Sequence, residues 1–485
     1  MFKQYKILIL LAVICIVSRL PQLLGPTLML DGDECVVAVM AKHILTGKDL
    51  PLFFYGQAYG FSFIECLFIM PFYWVFGITT IAVKLGMLSL WTIGVLFLYQ
   101  AFMLISKGNK WLPLLFTLLL ICSPAWAVWS MKARGGYLTS FTLTSLLLYL
   151  LFLDRKNNIS WLWSGVLCFF IYQSQPLWLP GLVPFIAYFL FKDRKAAPAL
   201  LFLLPVLALF ILTYCYKQRL SNFGIVRSDY TTDDLLQRIT RIPSFLYSSF
   251  HGKYFFGEIQ NPDLFSASFA VLFSMIVFSL PLIAVYNIIT GKKGKHLFNI
   301  SVTGIPVMLA YTVLAIGFQA RYLLPVTAYT LIALLLLLKT VTIRRETLYA
   351  TASLFIVTGI VSIITFYNFA FSPLRERSLR NVLGQLTEKG VHYAYCNDNM
   401  FTWQVIFYSN EQILCHEQKS PGRYPEYFRK VDSAFYAEAK TVYISPPIPL
   451  PKIDFPDAPT IDGYTVIIDP PKEVIAKNFP QATPR

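Results

Sequence analysis

The stretch FSFIECLFIMPFYWVFG, residues 61–77, decides how this chain is threaded. It is apolar enough to pass for a membrane span, yet it carries Glu65 and Pro71 and stops at Gly77. A carboxylate in hydrocarbon is costly and a proline interrupts the helical ladder, so this run is the weakest candidate to cross. Around it, apolar runs long enough for helices lie near 7–25, 81–105, 111–130, 137–153, 159–173, 176–191, 198–216, 265–289, 298–318, 322–338 and 347–369. The chain is 56% hydrophobic and only 14% charged, the composition of a polytopic membrane protein. MFKQYK precedes the first run and no small-residue cleavage site follows it, which reads as an uncleaved first span.

Charge then tests the threading. If the N-terminus is cytoplasmic and every run crosses, the basic loops SKGNK (106–110), LDRKNN (153–158) and FKDRK (191–195) all fall outside, against the positive-inside bias. If 61–77 instead lies in the interface or dips in without crossing, eleven spans remain. The same three loops, with GKKGK (291–295) and TVTIRR (340–345), then join the N-terminus in the cytoplasm. The opposite face receives 31–60, KARGGY (132–137), QSQP (173–176), 217–264, QAR (319–321) and everything after 369. Residues 1–369 hold 28 Lys+Arg against 13 Asp+Glu, whereas 370–485 hold 13 of each. The net charge of +15 therefore reflects membrane orientation, and nucleic acid is not needed to explain it.

Two domains follow: a transmembrane part, 1–369, and a soluble extracytoplasmic part, 370–485. In the second, LRNVLGQLTEKG reads as helix and VHYAYC, QILCH and TVYISPP as strands, a small α/β domain, with PPIPLP (446–451) a stiff loop. The fold class expected is an all-α polytopic membrane protein of about eleven transmembrane helices with a small C-terminal α/β domain. Cys396 and Cys415 are placed to pair if the tail lies in an oxidising space, and neither has metal-ligand spacing.

The chemistry collects on the outer side. Asp31, Asp33 and Glu34 fall within four residues just past the first span, ahead of CVVAVMAKHILTG (35–47). That run spaces Val36, Val39, Met40 and Ile44 on one helical face and ends in Gly47, the pattern of a short helix lying flat on the outer leaflet. Capping of that helix accounts for one acid, by Glu34 or Asp33; three call for a further role, such as a general base or a metal ligand. Nothing in the sequence requires a divalent cation. Tyr55, Gln57 and Tyr59 in FYGQAYG are suited to contacting a sugar or to forming an interfacial aromatic belt. Lys84, Arg134 and Arg321 stand at outer ends of spans, where a cation can neutralise a lipid phosphate; Lys84 is equally placed to snorkel. His251 is a lone histidine in a polar loop and reads as solvated.

Taken in order, Asp33-Glu34 after a first span, a flat helix over 35–46, a second ending at Phe76-Gly77, Lys84, and Arg321-Tyr322-Leu323-Leu324-Pro325 opening a late span resemble the GT-C superfamily of polyprenyl-phosphate-dependent glycosyltransferases. The resemblance covers about residues 1–340 and is nearest to protein O-mannosyltransferases and lipid A aminoarabinose transferases. It implies transfer of one hexosyl or pentosyl unit, with inversion, from an undecaprenyl- or dolichyl-phosphate-type carrier to a lipid, glycan or protein acceptor at the outer face, here of a bacterial plasma membrane. It makes Asp33 the candidate base and Asp31 an additional acid, with Glu34, Tyr55, Gln57 and Tyr59 lining the substrate. The aminoarabinose branch carries an acidic residue followed by Lys-Pro before the second flat helix; here the place reads FYGQAYGFS (54–62), without lysine. The phosphate contact therefore passes to Arg321 with Lys84 or Arg134. Because all these residues precede 325, the tail is expected to contact the acceptor or cover the site without entering its acid–base chemistry. A flippase or transporter, which would place charges at mid-span, and a polymer ligase or polymerase, which would share carrier and face, remain as alternatives.

Overall fold

The computed structural model describes residues 2–25, 28–107, 110–153, 157–192, 196–217, 232–250, 264–291, 295–314, 320–339, 344–366, 376–418, 423–447 and 459–479. His251 and most of the 217–264 loop fall outside these ranges. The chain is mostly helical, with one sheet near its C-terminus, and it condenses into two compact units. The first comprises Met1–Pro21, Met87–Lys132 and Gly136–Phe369; the second comprises Gln22–Gly86, Ala133–Gly135 and Ala370–Arg485.

Among the described residues five helices are long and apolar enough to cross a membrane: Tyr5–Leu23, Thr80–Ser106, Ala196–Tyr216, Leu264–Ile289 and Arg321–Leu338. Shorter apolar helices accompany them, and the chain is an integral membrane protein. An apolar segment in lipid must satisfy its backbone internally, which is why such runs fold as helices whatever their individual propensities. The run 111–130, read as one span, is instead two helices, Trp111–Ile121 and Pro124–Trp129. Pro124 cannot continue a helical ladder but suits a first turn, so the chain restarts there. Within the first unit, helices Asn158–Ser174 and Ala196–Lys217 approach so closely at Gly165 that a Cβ there would overlap the Phe202 carbonyl, the small-residue contact typical of membrane helices. Arg19 is fully buried in this unit; it donates to Ser130 Oγ at 2.8 Å and to the Ile121 carbonyl at 2.8 Å, with its guanidinium 4.9 Å from the Trp91 ring.

In the second unit a five-stranded sheet runs β1 (Tyr393–Cys396), β2 (Leu414–Glu417), β3 (Thr441–Ser445), β4 (Thr460–Ile461) and β5 (Tyr464–Ile468), in spatial order β2-β1-β3-β5-β4. The first three strands are mutually parallel and the last two antiparallel. A disulfide joins Cys396 on β1 to Cys415 on β2. Tyr395, Val431, Phe435, Tyr443, Ile475 and Phe479 form a core beneath the sheet. Against the tail's helix Asn399–Tyr408 packs helix Gly32–Thr46, whose other side meets helix Phe63–Phe76. The 35–47 segment, expected to lie flat with one apolar face, is thus covered on both sides, and Cys35 through Ala41 are all buried. Its alanines, valines and methionine serve two neighbours, which a one-faced reading cannot anticipate. Asn399–Tyr408 is buried all round and so has no periodicity to announce it; Asp398 starts it by accepting from the Phe401 N–H at 2.9 Å.

Candidate active site

The site grows from the N-terminus of helix Gly32–Thr46. Asp31 stands in extended backbone as the cap: its carboxylate accepts from the Glu34 N–H at 3.0 Å, and Glu34 Oε2 accepts from the Asp31 N–H at 3.1 Å. This reciprocal pair satisfies two amides that helix geometry leaves open. The cap is therefore Asp31, not Asp33 or Glu34 as the spacing suggested, and the helix begins three residues earlier than expected. Gly32 is dictated by contact, since a Cβ there would run into the Met400 backbone of the tail. The tail also fixes Leu30: Tyr408 Oη accepts from its N–H at 2.7 Å, and Gln404 Nε2 donates to its carbonyl at 2.8 Å.

With Asp31 occupied as a cap, Glu34 and Asp33 point to separate partners. Glu34 is buried and pairs with Lys84 Nζ at 2.5 Å; Lys84 is itself only 4% exposed. Two of the sequence candidates thus neutralise each other. Asp33 is held by two guanidinium groups. Arg134 approaches Oδ2 with Nε at 3.0 Å and Nη2 at 2.9 Å, while its Nη1 lies 3.5 Å from Asp31 Oδ2. Arg423 of the tail donates from Nη2 to Oδ1 at 2.8 Å. Its guanidinium lies 4.7 Å from the Phe54 ring, and its Cα backs onto Gly56, where a side chain would collide with it.

Arg423 thus brings the tail into contact with Asp33, although the sequence reading drew every partner of the acid from residues before 325. No local signal marks it, because the pairing spans 390 positions of sequence.

At the far end of the same helix a second polar cluster forms. Glu411 of the tail receives Lys42 at 2.6 Å, Lys48 at 2.7 Å and His43 Nε2 at 2.9 Å, and the Tyr427 hydroxyl donates to it as well. Burial alone would raise the Glu411 carboxyl, but hydrogen bonds from His43, Lys42, Lys48 and Tyr427 prevail and hold it well below the usual carboxylate range. Tyr55 belongs here. Its hydroxyl donates to Asp49 Oδ2 at 3.0 Å and lies 2.7 Å from His43 Nδ1. Burial and the neighbouring Asp49 push the Tyr55 phenol well above its ordinary value. Gln57 is half-buried and Tyr59 is 53% exposed.

Arg321 belongs to the first unit. Its guanidinium lies 5.7 Å from each of the rings of Tyr137 and Tyr322, and its buried Nε has no hydrogen-bond partner among the described residues. Among the described residues no group of three or more His, Cys, Asp or Glu is placed to hold a metal ion. The acids nearest that role, Asp31 and Asp33, face arginines instead.

No protein-family model and no curated protein matches the chain. Solved structures do. ArnT from Cupriavidus metallidurans in the apo state superposes with a TM-score of 0.63 over 95% of this chain and 97% of its own, at 10% identity. The same protein bound to undecaprenyl phosphate gives 0.60 at 11% identity, over 96% and 98% of the two chains. The apo oligosaccharyltransferase of Archaeoglobus fulgidus gives 0.52 at 11% identity, over 91% of this chain and 69% of its own. These neighbours are GT-C glycosyltransferases, and at the level of fold they bear out the resemblance read from the ordered motifs.

Proposed function

We propose that this protein is a membrane glycosyltransferase that moves a sugar from a polyprenyl-phosphate carrier to an acceptor at the outer face, with Asp33 as its general base. The observation that carries this reading is the placement of Asp33. In a chain with the ArnT fold, one carboxylate at the start of the helix after the first span is left over from capping and set between guanidinium groups. The acceptor O–H or N–H gives its proton to Asp33 as its heteroatom bonds to the anomeric carbon. The bond from that carbon to the phosphate oxygen breaks, and the phosphate leaves with the electron pair. The departing phosphate needs a cation, and guanidinium groups hold phosphate oxygens in a planar fork; the resemblance assigns that part to Arg321. Lys84 keeps Glu34 neutralised and thereby fixes the cap that aims Asp33.

Contacts within the second unit support the eleven-span threading. Glu34 and Lys84 touch although 61–77 lies between them, and Thr80 Oγ1 donates to Glu376 of the tail at 2.6 Å. Residues that touch outside the hydrocarbon share one side of a membrane, which favours a run between them that turns back without crossing. The Cys396–Cys415 disulfide favours an oxidising, extracytoplasmic tail. The division at residue 369 into a membrane part and a soluble part belongs to the same proposal. The test is incubation of purified protein with labelled polyprenyl-phosphate sugars and mass analysis of glycosylated lipid, glycan and protein. Release of lipid phosphate with transfer of the sugar is the result expected; no transfer from any such donor, under conditions where the protein is folded, would overturn the reading.

A further inference from the structure

Both oxygens of Asp33 are engaged, which a working base must relieve. Oδ2 accepts from Arg134 Nε, with Nη2 2.9 Å away, and Oδ1 accepts from Arg423 Nη2. The two arginines are not equivalent. Arg134 is 5% exposed, donates to Asp33 from Nε, sets Nη2 2.9 Å from the same oxygen and lies beside Asp31 as well. Arg423 touches Asp33 through one nitrogen, is 14% exposed and rests on the face of Phe54. Its Nη1 is shut off from solvent and has no partner among the described residues. A guanidinium with one buried N–H edge unused forms a better set of bonds with a tetrahedral anion than with the single carboxylate oxygen it now holds.

Resting on the function proposed above, we infer that Arg423 is a donor-phosphate ligand supplied by the tail, parked on Asp33 while no lipid phosphate is bound. When the phosphate arrives, Arg423 turns its fork to the phosphate oxygens and uncovers Asp33 Oδ1 for the acceptor proton. Occupancy of the donor site is then coupled to the availability of the base, so an acceptor is not activated before a donor is present. Arg134 remains behind and keeps Asp33 oriented through Oδ2.

Binding of undecaprenyl phosphate to the full-length protein in detergent, measured for four forms, separates this from a purely positioning role. The forms are the parent, Arg423→Gln, Asp33→Asn, and both together. Asp33→Asn releases Arg423 from its carboxylate, so it is expected to bind the lipid more tightly than the parent. In that background Arg423→Gln is expected to weaken binding roughly tenfold or more, the size of losing a charge-assisted hydrogen bond. If Arg423 served only to orient or neutralise Asp33, its removal would change nothing once Asp33 is uncharged, and that outcome overturns the inference. Arg423→Lys, which keeps the charge without the fork, is expected to fall between parent and Gln, and it supplies the same comparison should the Gln variant fold poorly. Undecaprenyl phosphate binding by none of the four forms would instead sink the lipid-phosphate function itself, and the inference with it. Unchanged binding on Arg423→Gln in a protein that does bind the lipid sinks the inference alone.

Discussion

The two units solve the problem of buried charge in opposite ways. In the first, Arg19 is dispersed over a serine hydroxyl, a backbone carbonyl and a tryptophan face, with no carboxylate among those partners. In the second, charge is matched with charge: Glu34 with Lys84, Asp33 with Arg134 and Arg423, Glu411 with Lys42 and Lys48. The first arrangement keeps a long side chain quiet in an apolar setting. The second concentrates opposed charges along one short helix and leaves a carboxylate whose counter-ions can be exchanged. The proposed chemistry is of the second kind, where a small rearrangement changes which groups are paired.

The largest effect should come from the acid with exchangeable partners. Asp33→Asn keeps shape and hydrogen-bonding capacity but removes the base, so sugar transfer should fall by roughly 10²- to 10⁴-fold with the protein still monodisperse. Turnover near that of the parent would reduce Asp33 to a structural ion-pair member like Glu34. Next is the pair that does not exchange. Lys84→Met strands the Glu34 carboxylate in a buried site and should cost about 3–5 kcal/mol of stability. Thermal unfolding in detergent should show most of that loss recovered in the Glu34→Gln, Lys84→Met double variant, since the amide still accepts from the Asp31 N–H. If the double variant were as unstable as Lys84→Met, charge matching would not be what Lys84 contributes.

What the sequence revealed divides along the same line. The apolar runs, the basic loops and the weakness of 61–77 as a span rest on local composition, and a chain read locally shows them. The tail's parallel strands were visible as short β-branched and aromatic runs. The helix Asn399–Tyr408 was not, because burial on every side leaves no period. Three acids before the 35–47 helix marked a place where charge gathers, but their separate pairings depend on Lys84, Arg134 and Arg423, which lie 50, 101 and 390 positions away from their partners. Ion pairing is decided by topology, and topology at that range leaves no trace in spacing. The same holds for Tyr55, whose place in an aromatic run said nothing of His43 and Asp49.

The disulfide sharpens the comparison within the tail itself. Cys396 and Cys415 are 19 residues apart in sequence, and closing a loop of that size stabilises a fold by about 3 kcal/mol in the chain-entropy account. Replacing both by serine should lower the unfolding temperature of the tail and leave the membrane helices unaffected. Circular dichroism in the near and far ultraviolet, with and without reductant, distinguishes the two parts. If reductant left the tail's melt unchanged, the bond would add little to a core already closed by Tyr395, Phe435 and Phe479.

The smallest effect concerns Glu411, and it tests whether charge matching stabilises the second unit under acid. A carboxyl whose folded value lies below its ordinary 4.5 binds protons less readily folded than unfolded, so acid favours unfolding. Its contribution is fully present above about pH 4.5 and declines as pH falls below that value toward the lower folded one. Protonating Glu411 also leaves Lys42 and Lys48 facing each other across a neutral group, which adds repulsion where there was attraction. Glu411→Gln should therefore cost about 1–3 kcal/mol at neutral pH, the penalty of leaving buried hydrogen-bonding groups poorly matched, and should flatten the acid limb of stability. Melting the parent and the variant between pH 7 and pH 3.5 compares the two curves directly. They should draw together below about pH 4.5 as the unfolded parent takes up a proton that the folded one refuses; parallel curves down to pH 3.5 would mean that the cluster around His43 is held by packing of Tyr55, Tyr424 and Tyr427 and not by its charge.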